Sequence, residues 1–316
     1  MTPSLALVLG FGLLLLGGEL LVRGAVAAAT RLGISPMIIG VTLVGFGTST
    51  PELVTSIQAA LDDVPGIAVG NVVGSNIANV LLILGLSAVI TPIAVNPNAV
   101  RRDCWIVIVT AGVATAVLLG LGGIGWMVGL AFVAALALYV VWTYRLDQQD
   151  GASAELHANE AAQVPATGMA LPFAFVTAAA GLGLTLLGAG WLVDGAVGIA
   201  RSAGVSEGVI GLTIVAVGTS LPELTAAIVA TLRGHSDVAF GNVVGSNIYN
   251  VLGILGLTGL ISPLHLPPDI TWVDLGLMVF VSAALLPVAL SGLKISRREG
   301  GVFLALYAGY MGYLTL

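Results

Sequence analysis

The chain has 316 residues, of which 58% are apolar and only 8% charged, with a mean hydropathy of +1.07. Soluble domains carry about 25% charged residues, so this composition excludes a soluble globular domain and describes an integral membrane protein in a lipid bilayer. The net charge of −6 says little about partners, because the charges must lie at the membrane surfaces, and a single cysteine, Cys104, excludes an internal disulfide.

The first apolar run covers 4–22 and has no basic segment before it, which predicts a retained helix and not a cleaved signal peptide. A spanning helix needs about 20 mostly apolar residues. Nine more candidates follow, at 36–60, 67–91, 104–121, 124–143, 170–193, 207–232, 238–262, 271–291 and 301–316. The polar interval from Arg145 to Thr167 divides the first five from the last five and is too short for a folded regulatory domain. Basic residues then orient the chain. If the spans alternate, Arg23, Arg31, Arg101, Arg102, Arg145, Arg233, Lys294, Arg297 and Arg298 share one side, and only Arg201 lies on the other. The expected topology has both termini extracytoplasmic and the central loop in the cytoplasm.

The second and third spans recur in the seventh and eighth. Shifted by 171, residues 24–86 align with 195–257 without a gap, and 35 of 63 positions are identical. "GNVVGSNIANVLLILGL" (Gly70 to Leu86) and "GNVVGSNIYNVLGILGL" (Gly241 to Leu257) differ at two positions. Shared leucine and valine follow from helix composition, but shared Asn71, Ser75, Asn76 and Asn79 do not. Five spans per half is an odd number, so the second half is inverted. The expected fold is therefore all-α, with ten transmembrane helices as two inverted five-helix repeats: 1–144, a cytoplasmic loop over 145–168, and 169–316. Secondary transporters with inverted repeats bind their substrate near the midplane, on interrupted helices at the repeat interface.

The repeated residues are oxygen donors. Glu52 lies one turn from Thr48 and three residues from Ser49, so the three share a helix face. Pro51 cannot donate a backbone hydrogen bond, which frees the carbonyl of Gly47. Thr219, Ser220, Pro222 and Glu223 repeat this arrangement, with carbonyls near Ala216 and Gly218. Ser75 and Asn79 are spaced i,i+4, as are Ser246 and Asn250. Gly66, Gly70 and Gly74 form a small-residue stripe that predicts a close helix approach. Hard cations take oxygen ligands, six to eight for calcium, and no His/Cys cluster suits zinc or copper. Two intramembrane carboxylates at symmetric positions suit one Ca²⁺, two Na⁺ or two protons, and competition for one carboxylate pair is a physical basis for exchange.

Plainer roles fit other residues. A serine or threonine in a span ordinarily bonds its own helix. Asn76 and Asn247 can bond backbone between helices, and Glu19 and Arg23 form an i,i+4 pair. Asp194 and Arg201 look interfacial, and His157, His235 and His265 fall in or near loops. A cation channel is the competing class. An intramembrane protease lacks H-E-x-x-H and a serine with a partner base.

"GTSTPEL" with "GNVVGSNIAN", and "GTSLPEL" with "GNVVGSNIYN", resemble the two alpha-repeats of the sodium/calcium exchanger family, within the cation/calcium antiporter superfamily. The resemblance covers essentially the whole chain, and the short loop resembles prokaryotic members. It implies ion ligands at Gly45 (carbonyl), Thr48, Ser49, Glu52, Ser75 and Asn79, and at Ala216 (carbonyl), Thr219, Ser220, Glu223, Ser246 and Asn250. It also implies Ca²⁺ on the central glutamates, Na⁺ in flanking sites, and first and sixth spans that slide against a rigid core. Several relatives carry an acid where this chain has Asn79 or Asn250, which weakens a potassium-dependent reading. Valine and glycine follow Asn71 and Asn242 where the proton/calcium branch has a glutamate, which favours Na⁺ over H⁺. The expectation is a Na⁺/Ca²⁺ antiporter of the inner (plasma) membrane, with H⁺/Ca²⁺ antiport as the alternative. No enzymatic activity, cofactor, nucleic acid or protein partner is implied.

Overall fold

A computed structural model describes residues 2–34, 36–62, 65–95, 97–149, 169–202, 216–266 and 270–314. Helix α1 spans Pro3–Leu32 and ends where Gly33 turns left-handed (φ 65°), its N–H meeting the carbonyls of Ala29 and Thr30. It outruns the expected 4–22, because Glu19 and Arg23 pair with each other within the helix and charge alone does not stop a helix; an αL glycine does.

The second apolar stretch is not one rod. It comprises α2 (Pro36–Ile39), a π-helical segment (Gly40–Val44), α3 (Gly45–Thr48) and α4 (Thr50–Leu61). Ser49 leaves helical geometry at φ −81°, ψ 13°. Pro51 therefore starts a new helix, at a position where its missing N–H costs nothing. After α5 (Pro65–Ala78) comes a second π segment (Asn79–Leu84) and α6 (Gly85–Ile90), then β1 (Ile93–Ala94), α7 (Pro97–Leu121), β2 (Gly123–Ile124) and α8 (Trp126–Gln149). Helix α8 thus carries the chain five residues into the predicted central loop, whose remainder, with His157, lies outside the described residues.

Helix α9 covers Leu171–Ser202. The seventh stretch is described only from α10 (Ala216–Thr219) onward; it breaks at Ser220 (φ −89°, ψ 5°) and resumes as α11 (Leu221–Leu232). Then follow α12 (Ser236–Ile248), a third π segment (Tyr249–Leu255), α13 (Gly256–Ile261), β3 (Leu264–His265), α14 (Trp272–Leu290), β4 (Lys294–Ile295) and α15 (Arg297–Leu314). Seven helices among the described residues are long and apolar enough to cross a membrane. The other expected spans fall short for identifiable reasons. The second is broken at Ser49, the seventh is described only from Ala216 and is broken at Ser220, and the tenth opens on Arg297, Arg298 and Glu299.

Pro65–Ile90 and Ser236–Ile261 form the centre. Of their apolar stretches 72% and 78% is buried, against 22% to 39% for the other five. Helices α1 and α9 pack antiparallel, along glycines spaced by seven on both. A Cβ at Gly10 would lie 2.6 Å from the Leu192 nitrogen, and one at Gly188 would lie 2.7 Å from the Leu14 nitrogen; Gly17 and Gly181 are equally crowded by opposing backbone. Two members of the predicted stripe on α5 do not do this: among the described residues a Cβ at Gly70 would meet only Ile270, at 3.6 Å, and none lies within 4 Å of a Cβ at Gly74. Close approach was correctly expected of glycine, but the heptad-spaced set on α1 and α9 is what provides it. Two short antiparallel pairs join the connectors, with Ile93 opposite Ile295 and Ile124 opposite Leu264.

Candidate functional site

The break at Ser49 places Glu52 in the first turn of α4, and the break at Ser220 places Glu223 in the first turn of α11. Free N–H groups and the helix dipole favour negative charge there. Both side chains are 1% exposed. They are cross-linked between the halves: Ser49 Oγ donates to Glu223 Oε1 at 2.8 Å, and Ser220 Oγ donates to Glu52 Oε1 at 3.5 Å. Each carboxylate keeps one oxygen, Oε2, buried and without a hydrogen-bond partner among the described residues.

The amides repeat the crossing. Asn79 opens the second π segment and Asn250 is the second residue of the third. The segment with Asn79 packs on α11, which carries Glu223, and the segment with Asn250 packs on α4, which carries Glu52. Asn79 donates to Asn247 Oδ1 at 2.9 Å and Asn250 donates to Asn76 Oδ1 at 3.0 Å. Again one oxygen of each, Oδ1, is buried and unpartnered. Leaving a buried acceptor unpaired costs about 1–3 kcal/mol. Four such oxygens, two of them on carboxylates, fit a dehydrated hard cation. All four are carboxylate or amide oxygens, which are hard donors.

The remaining expected ligands are placed unequally. Gly45 O accepts from Ser246 Oγ at 3.2 Å, which joins two of them across the halves. Thr48 Oγ1 donates to Val44 O at 2.9 Å and lies 3.2 Å from Asn242 Oδ1, so its hydroxyl is engaged in the scaffold. Ser75 is buried, Thr219 ends α10, and Ala216 begins it. The Gly47 carbonyl, expected to be free, accepts from Thr50 Oγ1 at 2.7 Å, because a hydroxyl one turn on replaces the N–H that Pro51 lacks.

Some working residues were not assigned a role from sequence. Asn71 Nδ2 donates to Glu52 O and Ser56 Oγ, both at 3.0 Å, and Asn242 Nδ2 donates to Glu223 O at 3.0 Å. They clamp each glutamate's helix to the next, and their presence in both motifs was the available signal. Outside the aligned window, Tyr139 donates to buried Asp103 at 3.1 Å and Tyr310 donates to Asp274 at 3.0 Å. All four obey the same shift of 171, which a longer alignment would have shown. Arg102 completes the first pair and Thr271 caps the second. Glu19, expected to pair with Arg23, also holds Arg233 at 2.8 Å, at the C-terminus of α11. Asp194 is exposed, and His235 precedes α12.

The sodium/calcium exchanger protein family model matches residues 3–145 and 173–316. The chain belongs to the sodium/calcium exchanger family. It is 32% identical to the sodium/calcium exchanger MaX1 of Methanosarcina acetivorans over 341 residues, covering 97% of each chain. It is 36% identical to the inner membrane protein YrbG of Escherichia coli over 314 residues, covering 98% of this chain and 95% of that one. Its fold matches a solved structure of the sodium-calcium exchanger NCX_Mj, soaked with Na⁺ and Ca²⁺, with a TM-score of 0.84 at 33% identity over 99% of both chains. This family member is thus a multi-pass, all-helical membrane protein of the cation/calcium antiporter type, and its relatives are transporters.

Proposed function

We propose that the protein exchanges Ca²⁺ for Na⁺ across a prokaryotic inner membrane, by alternating access at a midplane site between two inverted five-helix repeats, 1–144 and 169–316. The observation that carries this reading is the set of four buried, unpartnered oxygens on Glu52, Glu223, Asn79 and Asn250. The carbonyls of Gly45 and Ala216 and the side chains of Thr48, Ser49, Ser75, Thr219, Ser220 and Ser246 complete the proposed ligand set. One Ca²⁺ or two Na⁺ neutralise the two carboxylates equally well. They cannot do so together, because they need the same oxygens. An empty site leaves two buried charges uncompensated, which is costly in a low-dielectric interior. The empty carrier therefore does not reorient readily, and transport is exchange and not leak. Helices α1 and α9, zipped backbone to backbone, are suited to move as one body past the core. The clustering of Arg23 and Arg233 around Glu19 supports a cytoplasmic location for that end of α1, with both termini extracytoplasmic.

The test is Ca²⁺ flux in proteoliposomes with Na⁺ and H⁺ gradients imposed separately. Flux that requires Na⁺ on the opposite side is expected. If three Na⁺ exchange for one Ca²⁺, each cycle moves one charge, on which a potential of about 100 mV acts with about 2.3 kcal/mol; two Na⁺ would leave flux insensitive to potential. Flux with no Na⁺ present, abolished by collapsing the pH gradient, would replace Na⁺ by H⁺. Flux indifferent to any counter-ion gradient would mean a channel.

A further inference from the structure

Asn76 and Asn247 are 1% exposed and belong to no expected ligand set. Each donates its amide Nδ2 to the other's backbone carbonyl at 3.3 Å. A backbone carbonyl can only accept, so these bonds decide which end of each amide faces which way. The side-chain oxygens must then point elsewhere. Asn76 Oδ1 meets Nδ2 of Asn250 and Asn247 Oδ1 meets Nδ2 of Asn79. An acceptor oxygen demands a donor, so Asn79 and Asn250 commit their amino groups here. Their own oxygens are turned away from the network, and these are the atoms left unpartnered. Polarity thus propagates from two main-chain carbonyls, through two asparagines, to two oxygens.

We propose that Asn76 and Asn247 are positioning residues that present the Asn79 and Asn250 oxygens to the cation and require a neutral, donating group at those two positions, an amide here or a protonated acid elsewhere. A carboxylate at 250 would set oxygen against Asn76 Oδ1. The network therefore keeps the formal charge of the site at two, from Glu52 and Glu223, and so matches one divalent or two monovalent cations. This inference rests on Asn79 and Asn250 being cation ligands.

The experiment uses full-length protein in proteoliposomes with Ca²⁺ as the probe, reading half-saturating Ca²⁺ and maximal rate separately. Asn250→Ser and Asn76→Ser are each expected to raise half-saturation about tenfold, the scale of one oriented hydrogen-bonding group, with maximal rate within about twofold. The double variant should be no weaker than Asn250→Ser alone, because an amide that is gone cannot be misoriented. Asn247→Ser with Asn79→Ser gives the same cycle in the other half, should Asn76→Ser fold poorly. In ion-free detergent, Asn250→Asp should melt below Asn250→Ser, and adding Asn76→Ser should close that gap. Additive losses, or parental half-saturation in both Asn76→Ser and Asn247→Ser, overturn the positioning role while leaving the ligands standing. Parental half-saturation in Asn250→Ser and Asn79→Ser overturns the ligand assignment, and this proposal with it.

Discussion

Residues 24–86 and 195–257 keep the same polar residues at the centre and differ around them. Glu52 and Glu223, Ser49 and Ser220, Asn76 and Asn247, and Asn79 and Asn250 are identical in type and repeat each other's hydrogen bonds across the halves. Several residues around them do not match. Thr50, which satisfies Gly47 O, faces Leu221 in the alignment; Ser56, which accepts from Asn71, faces Ala227. Phe46 and Tyr249 stack with ring centroids 4.6 Å apart, where the counterparts are Val217 and Ala78. Tyr249 lies over Gly253, whose counterpart is Leu82, so bulk has moved within one helical turn. Two-fold symmetry is thus strict for the carboxylates, serines and amides that cross-link the halves, and is relaxed at several positions that serve packing or local capping.

The symmetry between the halves is tested most severely at the carboxylates. Glu52→Gln and Glu223→Gln are each expected to lower Ca²⁺ flux about 100-fold, since a charge is lost from a dehydrated site at about 1.4 kcal/mol per tenfold. Near-equal losses in the two variants, with folding intact by size-exclusion chromatography, are the prediction; wild-type Ca²⁺ binding in both would remove the glutamates from the site.

Next in size is the helix zipper. Gly17→Val and Gly188→Val should destabilise the protein by at least about 1–3 kcal/mol, the cost of overpacking, because a Cβ there meets opposing backbone. Gly12 and Gly183 sit on the same two helices, and no described atom lies within 4 Å of a Cβ at either. Alanine at either should cost nothing, as thermal melts in detergent would register.

Smaller again is the difference between the crossing serines. The Ser49 bond is 2.8 Å and the Ser220 bond 3.5 Å, and hydrogen bonds weaken with distance. Ser49→Ala should raise half-saturating Ca²⁺ about tenfold and Ser220→Ala about threefold. Equal effects would show that the halves are more alike than these distances. The smallest effect is expected from Thr50→Leu, which copies the second half into the first. It strands the Gly47 carbonyl at a cost of about 1 kcal/mol, visible as a melting shift of a few degrees with Ca²⁺ affinity unchanged.

Sequence alone determined the membrane environment, because so few charges over so many apolar residues leave no soluble solution. It also determined the internal repeat and the two glutamates, because polar residues are too costly in a span to recur by chance. The breaks at Ser49 and Ser220 were only half legible. Proline announces a disturbed helix, but whether the chain kinks or stops and restarts depends on what packs against it. Tertiary structure decided what periodicity cannot encode. It chose the glycines of α1 and α9 over those of α5, since close approach needs a partner backbone at the same height. It occupied the Gly47 carbonyl with Thr50. It also set which end of each buried amide faces inward, because that polarity is fixed by a main-chain carbonyl 171 residues away, in the other half of the molecule.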